Sequence, residues 1–459
     1  MTLIEEILRE TNDTRACLHG SGVIAETAGF FRGLFPDAVA AVVVDDANTK
    51  PVAGDRVVAM LREAGVRVAE HTINPDGSWF HATYDKVEEV REAIRGKGVP
   101  VAVGSGTIND LVKRASEEAG VRYMVVGTAA SMDGYTSYGA AITRDGMKQT
   151  LACRAPLGAL VDTAIVKAAP KEMTASGYAD LLAKIPAGAD WMLAEALLPA
   201  YSKDGSPSHG CERVHPLAWR CVQGPLRDSL ANPAGVAAGD EKEIAKFSEG
   251  LLMSAFAMQA AATSRPASGT EHQVAHYWDM EDLSFEGRPV SHGFKVGVGT
   301  LASAATWEFL LERDLAELDV EACLAKWPKT FEELAATFPA VYGNRPDHIR
   351  RAQIEMKGKY STPDELRAEL TLLKSVWPEL SRRLRAQVIP YGEVLEKLRL
   401  VGAPYEPEMI GVTRARFRET YRGVPYMRNR YFALDLVERL GLMDELLERL
   451  FGKGGIWEV

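Results

Sequence analysis

The stretch VPVAVGSGTINDLVKRASEEAGVRYMVVG, residues 99–127, decides the fold. Two runs rich in Val flank an amphipathic segment, and this pattern predicts a strand, a helix from about Ile108 to Ala119, and a second strand. Strands that alternate with helices of this length form β-α-β units. The stretch therefore predicts a parallel sheet with helices on both faces.

The same alternation of apolar runs and amphipathic stretches begins at Asp37 and continues to Gly127. A hairpin-like excursion follows in AAITRDGMKQTLACR, residues 140–154, where RDG provides turn chemistry between two short strands. One more strand, LGALVDTAIV at residues 157–166, closes this part of the chain.

After Pro170 the composition changes, because strand-like runs give way to long helical windows rich in Ala, Leu, Met and Glu. We therefore predict two domains. Residues 1–170 form an α/β domain with a parallel, Rossmann-like sheet, and residues 171–459 form an all-α domain.

The composition narrows the class of partner. The chain has 459 residues and a formal net charge of -10, with a pI near 5.6. Nucleic acids and anionic membranes select for a basic face, so neither is an expected partner. The apolar runs are too short to span a membrane, and the acidic start MTLIEEILRE is unlike a signal peptide, so we expect a cytoplasmic protein without membrane insertion. Five cysteines without a CxxC pair predict reduced thiols.

The turn GSGTIND, residues 104–110, joins a predicted strand to a predicted helix. Gly104 and Gly106 allow a ligand to approach the backbone closely, and the amide groups at a helix N-terminus suit a pyrophosphate. Such turns also serve as packing devices, and this one lacks the GxGxxG spacing of the dinucleotide-binding fingerprint. On its own the turn leaves both roles open.

A second polar loop, TAASMDGYTSYG at residues 128–139, follows the strand RYMVVG. Open α/β sheets bind ligands at the carboxyl ends of their strands, so this loop is either a ligand site or an ordinary connection. Asp45 and Asp46 end an earlier strand, where a carboxylate can bind a ribose diol and repel a 2′-phosphate, which favours NAD over NADP. The polar residues of the loop are Thr128, Ser131, Asp133, Thr136 and Ser137.

Three histidines and one aspartate form a candidate metal site. His272 and His276 lie four residues apart in EHQVAH, on one face of a helix, and His292 follows in SHGFKVGVGT. Asp180 stands in the apolar window TASGYADLLAK, where an unpaired carboxylate is costly to bury and a cation removes that cost. Spacing alone allows four ligands. Three ligands would leave an open position for a substrate oxygen, as in catalytic metal sites.

In this order, the motifs GSGTIND, TAASMDGYTS, GYADLLAK, EHQVAH and HGFKVGVGT resemble those of the sn-glycerol-1-phosphate dehydrogenases, bacterial forms especially. That family lies within the dehydroquinate synthase-like and metal-dependent alcohol dehydrogenase superfamily. The ending RNRYFALDLVERLGL is also similar to the bacterial forms. The resemblance spans most of the chain and implies a dehydroquinate synthase-like architecture.

The resemblance implies a role for each motif. Asp180, His272 and His292 would hold one divalent metal, which is usually zinc and is nickel in some bacterial members. Asp133, Asp180 and His276 would bind the substrate, with Asp133 and His276 as catalytic residues. The residues implied to bind NAD or NADP are Asp46, Gly104, Ser105, Gly106, Thr107, Ile108, Thr128, Ser131 and Ser137.

The implied reaction interconverts dihydroxyacetone phosphate and sn-glycerol 1-phosphate with NAD(H) or NADP(H), the metal polarising the C2 oxygen during hydride transfer. The resemblance also implies a role in phospholipid metabolism with a small phosphorylated substrate. A homodimer is the usual state of soluble enzymes. Two alternatives stay open: a dehydroquinate synthase-like cyclase or lyase with tightly held NAD, and a catalytically silent nucleotide-binding protein.

Several positions depart from related families. Lys184 stands four residues after Asp180, where iron-dependent alcohol dehydrogenases place a histidine, so an iron site with four protein ligands is disfavoured. Dehydroquinate synthases carry a glutamate where Asp180 stands, which weakens the lyase alternative. Phe294 occupies a position where related chains often carry a glutamate, so the form of the substrate pocket stays open.

The cation that binds the substrate phosphate also stays open. Lys148 or Lys184 can serve, or each can form a structural ion pair. A basic cluster either meets a phosphate across a subunit boundary or forms salt bridges on a solvated face. It consists of Arg414, Arg416, Arg418, Arg422, Arg428 and Arg430.

Overall fold

The computed structural model describes residues 3–144 and 147–459, with the backbone alone at positions 147 and 148. The last two residues of the predicted RDG turn and the side chain of Lys148 therefore lie outside the described residues.

Six parallel strands form the central sheet. The described residues contain ten strands in all: β1 (Ala16–Gly20), β2 (Ala40–Asp46), β3 (Arg67–Ile73), β4 (Val99–Gly104), β5 (Met124–Gly127), β6 (Ala140–Arg144), β7 (Met147–Leu151), β8 (Gly158–Asp162), β9 (Ser284–Phe285) and β10 (Arg288–Pro289). The order across the sheet is β1-β8-β5-β4-β2-β3, and every pair in it is parallel. β6 with β7 and β9 with β10 form antiparallel ribbons, the first at the predicted hairpin.

Helices dominate the chain after residue 170, which together with the parallel sheet confirms the predicted fold class. The helices are α1 (Leu3–Glu10), α2 (Thr27–Leu34), α3 (Asp55–Glu63), α4 (Tyr84–Ile94), α5 (Gly106–Glu118), α6 (Thr163–Ala168), α7 (Lys171–Leu182), α8 (Lys184–Leu197), α9 (Pro216–Ser229), α10 (Pro233–Ala238), α11 (Glu241–Ala261), α12 (Thr270–Asp279), α13 (His292–Leu311), α14 (Val320–Lys326), α15 (Phe331–Ala335), α16 (Phe338–Tyr342), α17 (Pro346–Lys357), α18 (Pro363–Gln387), α19 (Tyr391–Val401), α20 (Arg414–Gly423), α21 (Ala433–Arg439) and α22 (Met443–Phe451).

Strand β2 shows that both faces of the sheet are covered. Its four central residues, 41–44, are all buried. Successive side chains of a strand point to opposite faces, so a run without alternation is buried on both sides. The Val-rich run predicted this arrangement.

Two elements differ from the prediction. β1 was not predicted, because ACLHG is short, half-buried and at the edge of the sheet, where the apolar signal is weak. The predicted strand at 157–166 ends at Asp162, whose side chain accepts the N–H of Ala164 at 2.9 Å and caps helix α6. An aspartate at an N-cap starts a helix because it satisfies one of the first amide groups.

Contact density divides the chain into two compact units. The first holds the six-stranded sheet, and the second holds α12 and α13. The first contains the chain up to Leu181 with Leu217–Pro266 and Leu400–Gly402, and the second contains Leu182–Pro216, Ala267–Arg399 and Ala403–Val459. The domain boundary after residue 170 stays a prediction.

In the described part of the chain, every helix is too short or too polar to cross a lipid bilayer. The five cysteines all lie within the described residues and form no disulfide.

Candidate cofactor loops and metal centre

The strand order changes direction at β2. The chain adds β3 on one side of β2 and β4 on the other, so the carboxyl ends of β2 and β4 flank a topological switch point. At the end of β4, Gly104 pairs in register with Gly127 of β5. The predicted cofactor segments at Asp46, Gly104 and Thr128 therefore follow three adjacent strands and lie along one edge of the sheet.

Helix α5 begins at Gly106, immediately after the turn that follows β4. Ser105 precedes the helix without capping it through its side chain, and the first turn carries no acidic residue. A Cβ on Gly104 would lie 2.6 Å from Ile108 Cβ, and one on Gly106 would lie 2.7 Å from Met132 Cε. Packing within the chain therefore accounts for both glycines. The uncapped helix end is the feature that suits a pyrophosphate.

A buried lysine holds the loop 128–139. Lys113 on α5 is fully buried, and its Nζ donates to the carbonyl oxygens of Gly134, Ser137 and Gly139 at 3.0, 3.1 and 3.0 Å. Because α5 also begins at the turn after β4, one helix positions two of the predicted cofactor segments. The sequence analysis missed Lys113. The available signal was its place on the same helical face as Asn109, which is also buried.

The predicted cofactor residues divide by burial, which determines which side chains a ligand can reach. Met132 and its neighbours cover part of the turn after β4. Five of these residues are half-buried: Asp46, Ser105, Gly106, Thr107 and Ser131. The other four are buried: Gly104, Ile108, Thr128 and Ser137. Their roles at a cofactor stay predictions.

The two aspartates at the end of β2 have different surroundings. Asp46 is half-buried, and its Oδ1 accepts the N–H groups of Asn48 and Thr49 at 2.9 and 2.7 Å. Asp45 is 1% exposed and accepts the hydroxyl hydrogen of Thr72 at 2.8 Å. Burial raises the pKa of Asp45 to about 6. Asp46 is therefore the better placed of the two to meet a ribose.

Asp133, in the loop after β5, has two anchors. The hydroxyl of Ser254 on α11 donates to Asp133 Oδ2 at 2.7 Å. The backbone N–H of Asp133 donates to Asp180 Oδ2 at 3.1 Å, so two predicted site residues share a hydrogen bond. The sequence analysis missed Ser254, whose signal was a single hydroxyl in the apolar run LLMSAFAMQAAA.

Asp180, His272 and His292 supply ligand atoms that all lie within 4.8 Å of one another. Asp180 is fully buried near the end of α7, His272 lies in the first turn of α12, and His292 begins α13. A divalent cation held between these side chains would balance the charge of the buried carboxylate. One carboxylate oxygen and two imidazole nitrogens are donors that suit zinc and nickel. The residues present therefore fit a divalent metal.

His276 lies one turn after His272, apart from this three-residue group. Its ring centroid is 6.3 Å from that of His272 and 6.2 Å from that of His292. Its Nδ1 lies 3.4 Å from Asp279 Oδ2, and Lys295 pairs with the same carboxylate. Desolvation outweighs the attraction of Asp279 and lowers the pKa of His276 to about 4, so the ring is neutral at pH 7.

Glu271 is a buried neighbour of the metal ligands that the sequence analysis missed. It is fully buried, and its Oε1 lies 2.9 Å from His272 Nδ1. The signal was a carboxylate directly before a ligand histidine, since a buried acid needs a partner.

The other predicted cations are mostly engaged within the chain. Lys184 is fully buried at the start of α8. Three arginines of the basic cluster form salt bridges, which supports the interpretation of this cluster as a paired surface. The pairs are Arg414 with Glu408, Arg416 with Glu281, and Arg422 with Asp444.

Comparisons with known proteins give matches in both sequence and fold. Residues 19–170 match the family model described as iron-containing alcohol dehydrogenase. The chain is 33% identical over 310 residues to a glycerol-1-phosphate dehydrogenase (NAD(P)+) of Bacillus velezensis. The aligned region covers 67% of this chain and 72% of the relative. A protein of the same name from Bacillus licheniformis is 28% identical over 422 residues, covering 91% of this chain and 87% of the relative.

Among solved structures, maleylacetate reductase from Agrobacterium tumefaciens superposes with a TM-score of 0.57 over 97% of each chain. The two sequences are 15% identical, so this likeness shows the fold alone.

Proposed function

Because the chain belongs to the glycerol-1-phosphate dehydrogenase family of oxidoreductases, we propose that it interconverts dihydroxyacetone phosphate and sn-glycerol 1-phosphate, with NAD(H) or NADP(H) and one divalent cation. The observation that carries the proposal is the group Asp180, His272 and His292, with ligand atoms within 4.8 Å. Reduction of a ketone places negative charge on its oxygen, and a cation held by these residues can stabilise that charge.

The dinucleotide binds along the strand ends of the parallel sheet. The N-terminus of α5 receives the pyrophosphate, and Asp46 accepts hydrogen bonds from the adenine ribose. The nicotinamide end contacts the loop that contains Thr128, Ser131 and Ser137. The bound cofactor supplies or removes the hydride. Lys113 keeps the loop in place through its three carbonyl contacts.

The cation is zinc, with nickel as the alternative, because one carboxylate and two imidazoles suit both ions. When bound, it supplies Lewis-acid polarisation of the C2 oxygen. Asp180, His272 and His292 hold it. The backbone N–H of Asp133 fixes the orientation of the Asp180 carboxylate, since it donates to Oδ2 at 3.1 Å.

Asp133 and His276 act on the substrate itself. Ser254 fixes the Asp133 carboxylate, which accepts hydrogen bonds from the substrate hydroxyls. His276 is neutral at pH 7 and Asp279 lies beside its Nδ1, so the ring orients the substrate and relays the proton of the C2 hydroxyl.

The test is to mix the purified chain with dihydroxyacetone phosphate and NADH or NADPH. We expect loss of the reduced cofactor's absorbance in step with formation of sn-glycerol 1-phosphate. No loss with this ketone or with longer phosphorylated ketoses refutes the proposal. Conversion of a sugar phosphate without net loss of NADH instead indicates the lyase alternative. Cofactor binding without any turnover indicates a silent nucleotide-binding protein.

Asp180→Asn tests the metal separately. We expect the variant to lose the bound cation and its activity, because the amide has no charge to balance the cation. Asp228→Asn is a matched control, since Asp228 is exposed and pairs only with Lys246 among the contacts described. Retained metal and activity in Asp180→Asn would mean that this carboxylate is not a ligand.

A further inference from the structure

Glu271 holds the imidazole of His272 from one side. Its Oε1 lies 2.9 Å from His272 Nδ1 and also accepts the N–H of Gly269 at 2.6 Å. A ring nitrogen that faces a carboxylate oxygen carries the proton, so the lone pair of His272 lies on Nε2. We propose that Glu271 is a positioning residue that selects Nε2 of His272 as the metal-binding atom and fixes the orientation of the ring.

Glu271 is itself rigidly held. A Cβ on Gly299 of α13 would lie 2.3 Å from the carbonyl oxygen of Glu271, so the two helix backbones are in direct contact there. Asp190 on α8 accepts the N–H of Thr270 at 2.7 Å and that of Ala433 at 2.9 Å. The start of α12 is therefore attached at several points. The ring of His272 is hydrogen-bonded to a carboxylate that projects from this attached helix start.

Helix capping alone does not account for a carboxylate at this position. A neutral side chain can accept the N–H of Gly269 without the cost of burying a charged group. The second oxygen of Glu271, Oε2, has no hydrogen-bond partner among the described residues, so the helix start uses one oxygen only. A carboxylate bonded to Nδ1 makes Nε2 a more basic ligand, and a cation bound there offsets the buried charge.

This inference rests on the proposed metal site, and the affinity for Zn²⁺ tests it without reference to activity. The dissociation constant is measured by competition with a chromogenic chelator, and the visible spectrum of the Co²⁺ form reports the ligand geometry. The full chain is compared with Glu271→Ala and Glu271→Gln. Asp190→Asn is the matched control, because Asp190 accepts the N–H of Thr270 and so holds the same helix start.

We expect Glu271→Ala to weaken Zn²⁺ binding about 10–100-fold and to change the Co²⁺ spectrum. Glu271→Gln keeps an acceptor oxygen but no charge, so its affinity should lie between those of Glu271→Ala and the unmodified chain. If Glu271→Ala does not fold, Glu271→Gln decides, and affinity equal to that of the unmodified chain overturns the inference.

Two further results also overturn it. One is unchanged affinity and spectrum in both Glu271 variants. The other is a loss in Asp190→Asn as large as that in Glu271→Ala, since helix loosening would then explain the effect. If the unmodified chain itself binds no divalent cation, the proposed metal site fails first, which distinguishes the two failures.

Discussion

The contact between Gly299 and the backbone of Glu271 gives a prediction with a definite magnitude. In Gly299→Ala the new Cβ would lie 2.3 Å from the Glu271 oxygen, against 3.4 Å or more for an ordinary contact. The atom that the new Cβ meets belongs to the backbone of α12, so no side-chain rotation can relieve the clash. The two helices must move apart instead. Forcing an extra methyl group into a packed interior costs about 1–3 kcal/mol. Alanine also gains about 1 kcal/mol over glycine in a helix, which partly hides the clash.

Gly29→Ala isolates the clash, because Gly29 lies inside α2 and its new Cβ meets no atom within 4 Å beyond its own helix backbone and chain neighbours. Both variants gain a similar helix propensity, so the difference in their free energies of unfolding measures the contact. We expect Gly299→Ala to unfold in urea with about 1–3 kcal/mol less stability than Gly29→Ala.

The same variant should bind Zn²⁺ more weakly, since displacement of Glu271 moves His272 away from His292. Equal stability of Gly299→Ala and Gly29→Ala, with equal metal affinity, would refute the close packing of α12 on α13.

Three further predictions concern the first unit. Lys113→Met removes the Nζ donor from the buried carbonyls of Ser137 and Gly139, so it should lose about 2 kcal/mol or more of stability and raise the Kd for NADH, measured by fluorescence. The exposed Lys242→Met should change neither. Ser254→Ala removes a hydrogen bond to a buried carboxylate, so kcat/KM should fall about 10–100-fold and the free energy of unfolding should fall by about 1–3 kcal/mol. Unchanged kinetics would contradict the role given to Asp133. Asp45 has its pKa raised from 3.8 to about 6, so the folded state binds the proton more tightly and stability should fall by up to about 3 kcal/mol as the pH rises from 4 to above 6. Urea unfolding at a series of pH values should show a flatter profile for Asp45→Asn, and identical profiles would count against the buried carboxylate.

The parallel sheet was predictable because its central strands each carry their own signal. β2 and β4 are continuous apolar runs, which identify strands buried on both faces without knowledge of their neighbours. The edge strand β1 carries no such run, since one side of an edge strand has no neighbour to bury it. The end of β8 at Asp162 was also not predicted from the apolar pattern. A single aspartate that caps a helix there determines whether the chain continues as a strand or begins a helix.

The candidate site was predictable only in part. The helical period places His272 and His276 on one face, and only the family resemblance grouped His272 with Asp180 and His292. The distances between the ligand atoms of these three residues come from the folded chain. Ser254 lies 121 residues from Asp133 along the chain, so no local pattern joins them. The role of Lys113 likewise depends on three carbonyl groups of a loop whose course the sequence does not specify.

The sequence by itself determined the β-α-β order, the helical second half and the residue types able to hold a cofactor and a metal, because periodicity and side-chain chemistry are local properties. Tertiary structure alone decided that Glu271 is hydrogen-bonded to His272 and that Ser254 meets Asp133. The physical reason is that hydrogen bonds and ligand contacts depend on distances of a few ångströms. Such distances are set by the packing of whole helices, as the contact of Gly299 with Glu271 shows.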